Sequence, residues 1–97
     1  MQAMLDAISA PRRRRILRLV WTKELSAGEI AAKFDVSWAA ISQHLAVLKE
    51  AGLLTERRES TRRLYRTDVA ALGSLRGVLE EMWRSDLAQM KKIVDRR

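Results

Sequence analysis

The chain has 97 residues, of which 47% are hydrophobic and 32% are charged, a composition that indicates one folded domain and excludes a disordered tail. Nineteen Lys and Arg against twelve Asp and Glu give a net charge of +7, which favours a polyanionic partner, either nucleic acid or an anionic membrane surface. The sequence contains no cysteine, which excludes disulfides, thiol redox sensing and thiolate metal sites.

Helix signals dominate the N-terminal half of the chain. Gln2–Ile8 is a short apolar segment, and Pro11 suits the first turn of a second helix. Ser26 and Glu29 have the S-x-x-E spacing of a capping box, which predicts a third helix ending near Asp35.

A fourth helix is predicted to follow at once, with Ser37 as its N-cap. Ile41, Leu45 and Leu48 recur at helical spacing and predict one apolar face. Gly52 stands where a helix ends on a left-handed residue, so this helix is expected to span residues 37–51.

Two strands and a long helix are predicted to complete the fold. The strands are Leu53–Arg58 and Arg62–Thr67, and the turn over residues 59–61 lacks Gly or Asn, which predicts a loose turn or a mobile tip. Asp68 is expected to cap a final helix of roughly 25 residues. The long apolar stripe of this helix requires a partner surface, and Gly73 near its start costs helix propensity.

Two short helices, a tight turn and a basic hairpin form a helix-turn-helix with a wing, whose second helix fits the major groove of DNA. The outer face of that helix carries small and hydrogen-bonding side chains that suit base edges, with Ser42 and Gln43 as the base-reading pair. His44 beside this face is expected to be structural or to contact phosphate. The predicted DNA-binding residues are Ser37, Trp38, Ala39, Ser42, Gln43, His44, Lys49, Arg57, Arg58, Arg62 and Arg63.

Four stretches of the chain resemble the ArsR/SmtB family of winged-helix repressors. They are Pro11–Leu17 (PRRRRIL), Glu24–Ser37 (ELSAGEIAAKFDVS), Ile41–Leu54 (ISQHLAVLKEAGLL) and Arg62–Tyr65 (RRLY). The resemblance implies a mainly α fold with a small β-hairpin, formed as a homodimer with about five helices and a two-stranded wing. In that arrangement residues 1–10 and 69–97 dimerise, residues 26–51 form the helix-turn-helix and residues 53–67 form the wing.

The dimer interface that the resemblance implies consists of apolar residues on the first and last helices. These residues are Met4, Leu5, Leu72, Leu75, Leu79, Met82, Trp83, Leu87 and Met90.

The chain departs from the metal sensors of this family. Ser26 and Gly28 stand where those sensors often carry cysteines, and other members place Asp and His ligands along the last helix. Here Asp86 and Asp95 occur without a histidine, and the lone His44 cannot supply a site that suits zinc. No metal site and no cofactor are expected, while a small-molecule effector stays open.

Three features each allow two interpretations. The Arg12–Arg15 run is either a solvated face with an acidic partner elsewhere or a phosphate contact. Trp21 and Trp83 are either core or interface anchors or the lining of an effector pocket. Trp38 either stacks on sugar-phosphate or packs on its own domain.

The favoured function is a sequence-specific DNA-binding repressor that occupies an inverted-repeat operator as a homodimer. The alternative is a protein-interaction module that keeps the winged-helix fold without specific DNA binding. An enzyme is not expected, because the sequence has no Gly-rich phosphate loop and no nucleophile–base set. No apolar run approaches the ~20 residues of a membrane span and Asp6 interrupts the N-terminal apolar segment, so a cytoplasmic location without a membrane partner is expected.

Overall fold

The computed structural model describes residues 2–95, with side chains described for residues 2–85. The elements in chain order are α1 (Gln2–Ile8), α2 (Pro11–Leu19), β1 (Leu25–Ser26), α3 (Ala27–Ala31), α4 (Trp38–Glu50), β2 (Leu54–Glu59), β3 (Arg62–Thr67), α5 (Val69–Leu72) and α6 (Leu75–Asp95). Within the described residues there are thus six helices and three strands. The prediction of five helices and two strands missed a short first strand and a break in the last helix.

The helix starts predicted from capping residues are confirmed. The Ser26 hydroxyl accepts a hydrogen bond from the Glu29 amide at 3.2 Å, and the Glu29 carboxylate accepts one from the Ser26 amide at 2.9 Å. The Ser37 hydroxyl accepts from the Ala40 amide at 3.1 Å. Each bond satisfies an amide that the helix itself leaves without a partner. The end of α3 is less well predicted, because the helix stops at Ala31 rather than near Asp35.

Gly52 ends α4, as the sequence predicts. Gly52 has φ +80°, and its amide donates to the Lys49 carbonyl at 3.0 Å. The Leu53 amide donates to the Leu48 carbonyl at 2.9 Å, which completes the pair of hydrogen bonds that define a Schellman motif. The last carbonyls of α4 are therefore satisfied, and the chain turns directly into β2.

The prediction of one continuous helix after Asp68 is wrong. Asp68 does cap a helix, since its carboxylate accepts from the Ala71 amide at 3.2 Å. That helix ends after four residues, because Gly73 adopts φ +56°, a left-handed conformation that glycine takes without steric cost. The chain then restarts as α6 at Leu75, and α6 is 21 residues long.

The wing, defined here as the β2–β3 hairpin, has a tight turn rather than the loose one predicted. The strands pair from Leu54 opposite Thr67 to Glu59 opposite Arg62, which leaves a two-residue turn at positions 60–61. Ser60 has φ +58°, where glycine is usually found. The turn is therefore short but holds an L-residue in a strained backbone conformation.

The wing is joined to the rest of the domain at its base. β1 pairs with β3, with Leu25 opposite Tyr65 and Ser26 opposite Leu64, so the sheet order is β1-β3-β2. Thr67 is buried at 4% exposure, and its hydroxyl donates to the Leu17 carbonyl at 2.8 Å. These contacts fix the position of the wing relative to α2 and to the start of α3.

A single cluster of aliphatic side chains forms the core between the helices and the wing base. Three residues assigned in advance to the dimer interface belong to it, since Leu72, Leu75 and Leu79 are 1%, 8% and 0% exposed within this one chain. That assignment is corrected, because a side chain buried in its own protomer has almost no surface left for a partner. The largest fully buried side chains are Ile16, Leu17, Val20, Ile30, Ile41, Leu48, Leu53, Leu72 and Leu79.

Candidate nucleic-acid interface

Helix α4 presents its polar side outward. Ile41, Leu45 and Leu48 are buried at 0%, 4% and 0% exposure, which fixes the rotation of the helix about its axis. Ser42 and Gln43 are consequently exposed on the opposite side, as the sequence pattern predicts. The other exposed residues of α4 are Trp38, Ala39, Ala46, Val47, Lys49 and Glu50.

A groove of about 460 Å³ separates α4 from the wing. Trp38 lies at its edge, 57% exposed, with its ring against Gly28, where an added Cβ would stand 3.7 Å from the Trp38 Cζ3 atom. The indole thus packs one edge on its own domain and leaves most of its surface open. The groove is lined by Ser26, Ala27, Gly28, Trp38, Ser42, Leu45, Thr61, Arg62, Arg63 and Tyr65.

Most of the wing arginines are already engaged by carboxylates. Arg57 donates from Nε to Glu24 at 2.6 Å and from Nη2 to Glu59 at 2.9 Å. Arg62 donates to Glu29 of the capping box at 2.6 Å. The guanidinium groups therefore meet acids from the residue before β1, from α3 and from the wing itself.

Glu56 joins the wing to α4. One carboxylate oxygen lies 2.6 Å from the Lys49 ammonium, and the other lies 3.3 Å from an Arg63 guanidinium nitrogen. The Glu56 side chain is only 17% exposed, whereas the two cations are more than half exposed. Lys49 and Arg63, which are both predicted to contact phosphate, thus share the Glu56 carboxylate. Among the described side chains, Arg58 and Arg66 are the wing arginines with no ion pair.

The acids of this network have lowered pKa values. The hydrogen bond from Arg57 is the main cause that lowers the pKa of Glu24, and the hydrogen bond from Lys49 does the same for Glu56. The pKa of Glu29 is lowered first by the backbone amide of Ser26 and further by the nearby Arg62. All three carboxylates are therefore ionised at neutral pH and act as anions beside the cations.

The Arg12–Arg15 run fits neither of its two interpretations as a whole. Arg13 donates to the Ala7 carbonyl at 2.6 Å and to the Asp6 carbonyl at 3.0 Å, and Arg14 donates to the Ile8 carbonyl at 2.7 Å. These guanidinium groups satisfy the last carbonyls of α1, where a cation is also favoured by the helix dipole. Two of the four arginines are thus structural.

The other half of the run lies beside α4. Arg15 stacks on the Phe34 ring, with its guanidinium carbon 4.6 Å from the ring centroid. Arg12 is exposed and lies with Arg15 and His44 around a concavity of about 380 Å³. Burial lowers the pKa of His44, and the charges of Arg13 and Arg12 lower it further. His44 therefore faces α2 rather than the outer side of α4.

The tryptophan pair is an internal contact of the chain. Trp21 and Trp83 meet edge to face, with ring centroids 4.9 Å apart and planes at 88°. The Arg18 guanidinium lies 5.6 Å from the Trp83 ring centroid. Trp83 therefore links α6 to α2, and the pair also lines a concavity of about 430 Å³ with Arg18 and Glu80, so both interpretations of these residues stay open.

The sequence analysis missed the acids that engage the DNA-binding cations. Glu24 and Glu29 are 33 residues away from the arginines that they contact, so no local pattern reveals the pairs. Glu56 and Glu59, interleaved with Arg57 and Arg58 on β2, were the available signal. In the part of the chain that the structure describes, no group of three or more His, Cys, Asp or Glu side chains could hold a metal ion. None of the described helices is long and apolar enough to cross a membrane.

Comparison with known proteins gives a consistent result. The model of the bacterial regulatory protein arsR family matches residues 10–56. The HTH-type transcriptional regulator Rv2034 of Mycobacterium tuberculosis is 37% identical over 90 residues, covering 93% of this chain and 84% of that protein. The transcriptional repressor SdpR of Bacillus subtilis is 41% identical over 59 residues, covering 61% of this chain and 66% of that protein.

A solved structure shares the fold. It is the homodimeric winged helix-turn-helix DNA-binding domain of a possible ArsR-family transcriptional regulator from Mycobacterium bovis. The two superpose with a TM-score of 0.74 at 28% identity, over 86% of this chain and 77% of that one. Fold and exposed helix together define a DNA-binding transcription regulator of the winged helix-turn-helix class. The chain belongs to the ArsR family.

Proposed function

We propose that this protein is a sequence-specific repressor that occupies an inverted-repeat operator as a homodimer. The observation that carries the proposal is the exposed Ser42–Gln43 side of α4, which has a cationic surface on each of its two flanks. Blocking the operator requires no chemistry, and repression then follows from occupancy alone. A regulator of this kind acts where the chromosome is, which in a bacterial cell is the cytoplasm.

Base reading is assigned to the middle of α4. Gln43 has the amide that pairs bidentately with adenine, and the Ser42 hydroxyl both donates and accepts. Ala39 and Ala46 lie on the same exposed side and have no bulk to hold the helix away from the base edges. A thymine methyl group fits against either alanine.

Backbone contacts are assigned to both flanks of α4. The wing flank, next to Ser42 and Trp38, offers Arg58 and the paired cations of the wing. The α2 flank, next to His44, offers Arg12. A helix in the major groove has one phosphate backbone on each side, so cations on both flanks suit this placement. The Ser37 hydroxyl is engaged as the N-cap of α4. The phosphate contact predicted at Ser37 is therefore assigned to the first backbone amides of α4.

The dimer is assigned to the apolar residues that the protomer leaves open. Val78 and Met82 on α6 are 52% and 39% exposed and lie one turn apart, and Leu5 on α1 is 41% exposed. Gly77 lies beside them with no atom within 4 Å of where its Cβ would be, which allows close approach of a second helix. Met4 and Trp83 are half-buried and pack against the core of their own chain. Leu87 and Met90 lie outside the described side chains.

The relatives support a dimeric repressor. The Bacillus subtilis relative is named a transcriptional repressor, and the Mycobacterium bovis structure is described as homodimeric. In a two-fold dimer the two copies of α4 should lie about 34 Å apart, one turn of DNA, so the operator is expected to contain two half-sites at that spacing.

The test is selection of bound fragments from the source genome, followed by fluorescence anisotropy with the selected duplex and a scrambled one. The wild-type protein is expected to prefer the selected duplex by at least about a thousandfold. The Ser42→Ala/Gln43→Ala variant is expected to lose about ten- to a hundredfold of that preference, since each good base contact is worth about 1–3 kcal/mol. Glu80→Gln on α6, which does not line the concavity formed by Gly77, Val78 and Met82, is the control and should keep the preference.

Two results would contradict the proposal. Equal affinity for selected and scrambled duplexes would favour the protein-interaction module instead. A protein that stays monomeric in analytical ultracentrifugation at binding concentrations would remove the dimer and with it the inverted repeat.

A further inference from the structure

The cations proposed to contact phosphate are mostly neutralised in the free protein. Lys49, Arg57, Arg62 and Arg63 each lie within 3.3 Å of a carboxylate oxygen. Arg57 has both nitrogens of one guanidinium edge engaged, Nε by Glu24 and Nη2 by Glu59. A DNA phosphate approaching that edge finds its donors taken.

We propose that Glu24, Glu29 and Glu56 set the affinity of the DNA-binding surface by competing with backbone phosphates for these cations. The inference rests on the proposed function, because it requires the wing and Lys49 to contact phosphate. In this proposal the three acids influence the affinity for DNA without contacting DNA themselves. On binding, the paired cations leave these carboxylates and turn outward to contact phosphates.

Geometry places the competition where DNA must bind. Arg62 and Arg63 line the groove beside Ser42, and their anions are Glu29 and Glu56. Glu29 also accepts a hydrogen bond from the Ser26 amide, and Glu56 is partly buried, with its side chain 17% exposed. The cations, by contrast, are more than half exposed and can turn outward.

The exchange predicts a particular salt dependence. A free cation that binds a phosphate releases one counterion from the DNA. Each such contact makes the slope of log affinity against log salt concentration more negative by about 0.9. A cation taken from a carboxylate leaves that carboxylate to recruit a counterion, so the net release is smaller. The wild-type protein should therefore show a shallower salt dependence than the number of its cations suggests.

The experiment measures affinity for a fluorescein-labelled random-sequence duplex of about 30 base pairs, because backbone contacts do not depend on sequence. The variants are Glu29→Gln, Glu56→Gln and the double variant, compared between about 50 and 300 mM salt. Glutamine at position 29 keeps the capping-box acceptor, so α3 is expected to remain intact. Each single variant should bind about two- to fivefold more tightly at low salt and show a steeper salt dependence.

Two matched variants separate competition from a general change of charge. Glu80→Gln removes the same charge and an ion pair of similar exposure with Arg76 on α6, and should change affinity by less than about twofold. Arg62→Gln should abolish the gain from Glu29→Gln, since the competing cation is then absent. Circular dichroism confirms that each variant is folded.

The outcomes distinguish the two proposals. If wild-type protein binds the duplex but Glu29→Gln and Glu56→Gln bind no more tightly than Glu80→Gln, or more weakly, the acids are not competitors and this inference is overturned. If the gain from Glu29→Gln persists with Arg62→Gln, it does not arise from that pair and the inference fails as well. If wild-type protein shows no salt-dependent binding, the proposed function fails first.

Discussion

The two flanks of α4 carry similar numbers of arginines and use them differently. On the wing flank the guanidinium groups meet carboxylates, as in the Arg62–Glu29 pair at 2.6 Å. On the α2 flank they meet backbone carbonyls, as Arg13 does at the end of α1, or they have no acid partner among the described side chains, as in the case of Arg12. A count of basic residues therefore misjudges how much positive charge each flank offers to DNA.

The difference has a structural origin. The carbonyls that hold Arg13 and Arg14 are six or seven residues upstream, at the exposed end of a helix that must satisfy them somehow. The wing arginines find acids because β1 and α3 come to rest against the hairpin. The contacts of Arg13 and Arg14 are therefore local in sequence, whereas the Arg57–Glu24 and Arg62–Glu29 pairs form only in the tertiary fold.

The largest expected effect separates Arg12 from Arg13, which are adjacent in sequence and both basic. Arg13→Gln should lower the free energy of unfolding by about 1–2 kcal/mol, because two carbonyls lose a charged donor. Arg12→Gln should leave stability within about 0.5 kcal/mol and weaken binding to every duplex by about five- to tenfold, with a salt dependence shallower by about 0.9. Urea denaturation and anisotropy titration measure the two effects.

Arg76→Gln on α6 serves as the control for loss of one positive charge away from α4. If Arg13→Gln weakened DNA binding as strongly as Arg12→Gln in a protein that remained folded, the division of the α2 flank into structural and binding arginines would be wrong.

A smaller effect is expected at the wing tip, where the backbone can be relaxed without altering any charge. Ser60→Gly removes the cost of holding an L-residue at φ +58° and should raise the free energy of unfolding by up to about 1 kcal/mol. Ser60→Ala keeps that cost and should give no such gain. A destabilised Ser60→Gly protein in urea denaturation would show that the turn does not adopt this conformation.

The smallest effect is a difference between the flanks in the pH dependence of stability. The pKa of His44 is lowered from 6.5, so the unfolded state binds this proton more tightly and stability falls as pH drops below about 6.5. The pKa values of Glu29 and Glu56 are lowered from 4.5, so their contribution is present above that pH and is lost as pH falls further. Two separate declines are expected when the urea midpoint is followed from pH 7.5 to about 3.

Single variants assign each decline to its flank. His44→Gln should remove the decline near pH 6 and leave the acidic one, whereas Glu56→Gln should weaken only the acidic one. If His44→Gln left the curve between pH 7 and 5 unchanged, the burial of His44 against α2 would not be the cause.

Local signals in the sequence were enough to predict most of the fold. The caps at Ser26, Ser37 and Asp68 and the left-handed Gly52 each depend on residues within five positions, and all four are confirmed. The apolar spacing of α4 likewise fixed which side faces outward. The turn at Ser60 was mispredicted because strand pairing, not turn propensity, determined its length.

Features that depend on distant residues could not be predicted. β1 is two residues long and exists only because β3 lies alongside it. The burial of Leu72, Leu75 and Leu79 reflects the break at Gly73, which lets the start of α6 pack on the core of its own chain. The acid partners of the wing were missed for the same reason, since Glu24 and Glu29 reach it only in the folded domain.

The central claim is that the outer side of α4 meets DNA with a cationic contact on each flank. The most direct measurement is a ¹H–¹⁵N NMR titration of the whole protein with the duplex selected from its genome. The account predicts the largest shifts at residues 38–49, the Trp38 indole included, with further shifts at residues 57–63 and at Arg12. Shifts confined to α6, with residues 38–49 unchanged, would contradict it.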